Sequence, residues 1–143
     1  MADAKSDVEN LMNDMLPFAE QLLSEHGEFF PYGAALDPEG EVVSIAGYTG
    51  SEQPPSQELI DLLREGFVSR AREGYIATAL YYDVRISIGE NETSDAIAVE
   101  LDHREGYSVI VFFPYELKSG EVLFGELSAQ EGRYGVFESP PNE

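Results

Sequence analysis

Four charged residues, Asp83, Arg85, Glu100 and Asp102, alternate within two segments that read as neighbouring strands. Alternate residues of a strand point the same way, and paired strands set opposite residues about 5 Å apart, close enough for charge-assisted hydrogen bonds. With Tyr81 beside them, these four would form an acidic cup around one arginine. Such a cup suits a small polar molecule or a basic side chain. The plainer reading is a cross-strand ion pair on a wet face.

Other chemistry is scarce. The chain has no cysteine and two histidines, His26 and His103. That removes thiolate zinc sites, disulfides and cysteine nucleophiles. His26 falls at the end of an expected helix, where positive charge is favoured. His103 falls in an expected hairpin turn beside Asp102, where solvated turn polarity accounts for it. No HExxH, EF-hand, GxSxG, phosphate-binding or dinucleotide-binding pattern occurs. Catalytic, cofactor and metal residues are therefore not assigned, and no enzymatic activity is expected.

The charge balance says more. Among 143 residues, 28 are acidic and 8 basic, a formal net charge of -20. Such a surface repels nucleic-acid phosphates and anionic membranes, and leaves a basic protein partner as the complementary class. Hydrophobic residues make up 43%, enough for a packed interior. Residues 1–143 read as one domain with loose ends at about 1–5 and 138–143. The opening "MADAKSDVEN" has neither the basic nor the apolar region of a signal peptide, so a cytoplasmic location is expected.

Periodicity supplies the scaffold. Ser6-Asp7-Val8-Glu9 has the form of a capping box, followed by Val8, Leu11, Met12, Met15, Leu16, Ala19, Leu22 and Leu23 at helical spacing. Pro17 predicts a kink or break near Leu16. "YGAALDPEGEVVSIAGY" reads as a hairpin turning at Asp37-Pro38-Glu39-Gly40, and "GSEQPPSQ" leads to a second helix capped at Ser56. That helix carries Leu59, Ile60, Leu63, Phe67, Val68 and Ala71 on one stripe. Strands follow over Tyr75–Ile88, Asp95–Asp102, Tyr107–Tyr115, Glu121–Ala129 and Tyr134–Phe137. The class is α+β: an antiparallel sheet of five to six strands in the order α-β-β-α-β-β-β(-β), with both helices on one face.

The segment "GYSVIVFFPYEL" is apolar in both phases. Tyr107, Val109, Val111, Phe113 and Tyr115 form one face; Ser108, Ile110, Phe112 and Pro114 form the other. With the first face against the helices, Ile110 and Phe112 need a cover. Neighbours expected on that outer layer are Ala77, Ala79, Tyr81 and Phe124. The cover is either the chain itself, with a helix on each side, or a second copy forming a homodimer through the sheet face, or another protein or ligand. The candidate interaction surface is therefore Tyr81, Asp83, Arg85, Glu100, Asp102, Ile110, Phe112 and Phe124.

The element order resembles the profilin-like architecture of roadblock and longin domains, a likeness of topology that carries no site residue. The runs "LPFAEQLLSEHGEFFPYGAAL", "DAIAVELDHREGYSVIVFFPYEL" and "FGELSAQEG" resemble a group of small acidic bacterial proteins of uncharacterised function, over Leu16 to Gly132. Some acidic bacterial proteins of this size are immunity proteins. By that analogy the expected function is a non-catalytic protein-interaction domain, in its most concrete form one neutralising a basic toxin. The alternative is a ligand-binding or enzymatic domain with a pocket near Tyr81, Asp83, Arg85 and Glu100.

Overall fold

The computed structural model describes residues 3–45 and 56–137. The connection "GYTGSEQPPS" up to residue 55, the last part of the first hairpin and the tail from residue 138 lie outside the described residues. Among the described residues, two helices and an open seven-stranded antiparallel sheet make an α+β fold.

Helix α1 (Ala4–His26) begins one turn earlier than the capping box implies. Asp3 is the cap, its carboxylate accepting the Ser6 amide at 2.8 Å, so Ser6 supplies the donor rather than the cap. That bond holds the Asp3 carboxyl below its usual value. The helix runs unbroken through Pro17. Pro17 and Asn13 are both exposed, so the carbonyl that proline leaves without a donor faces water. The buried stripe, Val8, Leu11, Met12, Leu16, Ala19 and Leu23, is the one expected.

Strands β1 (Tyr32–Leu36) and β2 (Val42–Ile45) form the first hairpin. Its turn is held by Asp37, whose Oδ1 accepts the amides of Glu39 and Glu41 at 2.9 and 3.0 Å. Helix α2 (Ser56–Arg72) precedes β3 (Ala77–Gly89), β4 (Glu92–His103) and β5 (Ser108–Lys118). The sheet order is β2-β1-β3-β4-β5 followed by an edge of β6 (Glu121–Phe124) and β7 (Ser128–Glu131), both paired with β5.

The sheet has seven strands because residues 121–131 divide in two. β6 pairs with Tyr115–Lys118 and β7 with Val109–Phe112. The interruption faces Pro114. The Pro114 carbonyl accepts the Gly125 amide at 2.8 Å, so its missing N–H points to the same edge. Contrary to the expected final strand, Tyr134–Phe137 is not a strand. It belongs to a strap that crosses the sheet: Gly132 N–H donates to the Ser108 carbonyl at 3.0 Å and Tyr134 N–H to Ser108 Oγ at 3.2 Å. A side chain at 132 would overlap Ser108 Oγ and approach the Val109 nitrogen to 2.7 Å, so only glycine passes there.

The helices lie on opposite faces, which corrects the expectation of both on one. α1 packs on Tyr81, Ile97, Val99, Leu101 and Phe113. α2 packs Ile60, Leu63 and Phe67 on Ala35, Ile45 and Leu80, with Val136 of the strap joining them. Burying a side chain such as Phe67 contributes about 1.5–3 kcal/mol. It fits because β1 carries Gly33 beneath it; a Cβ there would stand 2.6 Å from Phe67 Cζ. α2 thus rests on β1 and β3, so β3 has a helix on each face, whereas on β5 the second phase of "GYSVIVFFPYEL" meets the strap at Ser108, buries Ile110 and leaves Pro114 at an open groove.

Candidate functional site

Register decides which side chains meet. β3 pairs with β4 as Tyr81↔Val99, Asp83↔Ile97 and Arg85↔Asp95, whereas Glu100 and Asp102 oppose Leu80 and Thr78. The four charges expected in one cup are therefore divided. Asp83 and Arg85 lie on the α1 face, and Glu100 and Asp102 on the α2 face. Tyr81 also faces α1, fully buried, and not the outer layer expected to hold Ile110. Ala77 and Ala79 follow Tyr81. Phe124 opposes Tyr115 and packs edge-on to Phe113, so it too belongs to the α1 face. Only Glu100, Asp102, Ile110 and Phe112 share the outer layer.

On the α1 face, β3 runs on past the end of β1, and an open depression of about 320 Å3 forms there, lined in part by Glu28, Asp83, Arg85 and Asp95. Arg85 reaches Asp95 and Thr93 at 3.3 Å each, both exposed contacts. Tyr115 donates to Asp83 at 2.8 Å. Burial raises the Asp83 carboxyl above its usual value, Tyr115 opposes that shift, and the Asp95 charge adds to it.

On the α2 face, Arg64 forks onto Glu100, with Nη2 to Oε2 at 2.7 Å and Nε to Oε1 at 3.3 Å. Tyr82 donates to the same Oε2 at 2.7 Å. Burial, and then Glu100 as acceptor, raise the Tyr82 phenol well above its usual range. Ser108 donates to Asp102 Oδ1 at 2.7 Å. Arg64, Tyr82 and Ser108 carried no distinguishing sequence signal: Arg64 borders the apolar stripe of α2, and the other two are ordinary alternating strand positions.

Ile110 is 7% exposed in the isolated chain, so no second copy is needed to keep it from water. Phe112 is half-buried. Further along this face, beyond α2, the strands are bare. An open groove of about 640 Å3 runs there between the β3 arm and the β6–β7 edge. Ile86, Ile88, Pro114, Leu123 and Leu127 line it together with Glu116 and Glu126. Ile88, Leu123 and Leu127 are 52, 43 and 51% exposed.

The histidines also differ from expectation in part. His26 is exposed at the end of α1, 3.8 Å from Glu25. His103 is 2% exposed rather than solvated. Its Nε2 contacts Asp7 Oδ2 at 2.8 Å, and Nδ1 accepts the Glu105 amide at 3.1 Å. With both ring nitrogens occupied, the imidazole has no free position for proton transfer. Among the described residues, no group of three or more His, Asp or Glu is placed to hold a metal ion. No helix among them is long and apolar enough to cross a membrane.

No family model, no curated protein and no solved structure matches the chain.

Proposed function

We propose that the chain is a non-catalytic interaction domain that docks a basic, amphipathic segment of another protein in the groove between the β3 arm and the β6–β7 edge. The observation carrying this reading is the groove itself: exposed Ile88, Leu123 and Leu127 beside Glu116 and Glu126. Exposed apolar side chains grouped together mark interaction surfaces more often than isolated ones do. The charge of -20 adds long-range attraction for a cationic partner and repulsion of acidic ones. Neutralisation of a basic toxin is the most concrete version: carboxylates steer the encounter, and apolar side chains anchor it.

The test compares the parent chain with Leu123→Asp/Leu127→Asp as bait in the source cell, with bound proteins identified by mass spectrometry. Both positions are exposed, so the variant keeps its fold. The reading requires a basic protein held by the parent, released by added salt and lost from the variant. Identical recovery by both baits, or a salt-insensitive acidic partner, would refute it.

A further inference from the structure

Between α2, the sheet and the C-terminal strap lies a third concavity, a cavity of about 190 Å3. Four charged side chains line it: Arg64, Glu100, Asp102 and Arg133. Phe67, Leu80 and Val136 supply an apolar wall. Two of only 8 basic residues in the chain therefore converge on one small space.

The charges are unequally satisfied. Arg64 and Glu100 neutralise each other. Asp102 is 7% exposed and is hydrogen-bonded only by the Ser108 hydroxyl, with no cation within 4.0 Å among the described residues. Arg133 likewise has no carboxylate within 4.0 Å among them. A buried carboxylate with no cation in contact is costly, and burial raises the Asp102 carboxyl above its usual value, although Ser108 and the more distant charges of Arg64 and Arg133 pull against that shift. Thr78, directly opposite Asp102 in the ladder, has its hydroxyl buried without a partner among the described residues. The cavity thus presents one carboxylate with no cation in contact, one guanidinium with no carboxylate in contact, and an apolar wall, among the described residues.

We propose that this cavity binds a small zwitterion of the amino-acid type, with its ammonium on Asp102 and its carboxylate on Arg133. At about 30 Å3 per water, the space equals roughly six waters, which fits an aliphatic amino acid up to valine size. Phe67, Leu80 and Val136 would take the side chain. Because Asp102 belongs to β4 and Arg133 to the strap, the ligand would also tie the strap to the sheet. This site is separate from the groove, and neither proposal depends on the other.

Calorimetric titration of the full chain with glycine, alanine and valine tests it, with ethylamine and propionate as single-charge controls. Dissociation constants of about 1 mM or tighter are expected for alanine or valine, and values about tenfold weaker for either control. Asp102→Asn keeps the acceptor for Ser108, and Arg133 is exposed, so neither that change nor Arg133→Gln disturbs the core. Each should weaken zwitterion binding about tenfold. Amide exchange over residues 132–137 should slow when the ligand is bound. No heat and no protection with any of the three amino acids would overturn the proposal, as would binding unchanged in both variants.

Discussion

His103 and Asp7 meet at 2.8 Å across 96 residues of sequence. Because Nδ1 accepts the Glu105 amide, the proton of the neutral ring resides on Nε2 and is donated to Asp7. The contact pins the first turn of α1 to the end of β4. It sits at the margin of the core, with the imidazole sealed and the carboxylate partly open to water.

Removing either partner leaves the other poorly satisfied. His103→Ala and Asp7→Ala should each lower stability by about 1.5–3 kcal/mol, the range for hydrogen bonds to charged groups. The double variant should lose clearly less than the sum of the two. Urea denaturation of all four proteins measures the coupling; strictly additive losses would show that the contact contributes nothing.

Gly33 determines how closely α2 approaches the sheet. Gly33→Ala should cost about 1–3 kcal/mol by forcing Phe67 out of its seat. Phe67→Leu made in the same chain should recover part of that loss, although alone it destabilises. The comparison is read from denaturation midpoints, and an alanine variant as stable as the parent would contradict the geometry.

Arg64 neutralises a carboxylate that has little access to water. Arg64→Met strands Glu100 and should cost on the order of 3 kcal/mol. Arg64→Met/Glu100→Gln should be milder, because no buried charge is then left alone. Thermal unfolding of the two variants ranks them; the single variant proving the more stable would defeat the argument.

Burial holds the Asp102 carboxyl above its usual value of 3.8, and Glu100 pushes the same way, whereas Ser108, Arg64 and Arg133 pull against it. A carboxyl that takes its proton more readily in the folded chain reduces stability as pH rises from its unfolded value through its folded one. Asp102→Asn should therefore be more stable than the parent near neutral pH, with the advantage fading as pH falls toward 3.8. Denaturation curves across that interval supply the check, and an advantage that grows on acidification would reverse the assignment.

Local chemistry was legible in the sequence where one element decides it. The α1 stripe, the Asp37 turn and the two-phase apolar strand all follow from spacing alone. Pairing was not legible, because register fixes faces only jointly. Asp83 and Glu100 each alternate correctly within their own strand, yet the pairs Asp83↔Ile97 and Leu80↔Glu100 place them on opposite sides. The single strand read over Glu121–Ala129 is split at Gly125, whose amide goes to Pro114, a residue of another strand. His103 looked like a solvated turn residue because its partner lies in helix α1, remote in the sequence. Arg133 carried no signal at all, since the strap has neither helical nor strand periodicity to place it.

The strap also dictates when the outer face can be finished during synthesis. Strands β1 to β5, with both helices, are complete in a nascent chain by Lys118, yet Ser108 waits for the amides of Gly132 and Tyr134. Until the ribosome has released Val136, Leu80 and Asp102 lack their final neighbours, and the emerging polypeptide carries a wet apolar flank that a chaperone is suited to shield.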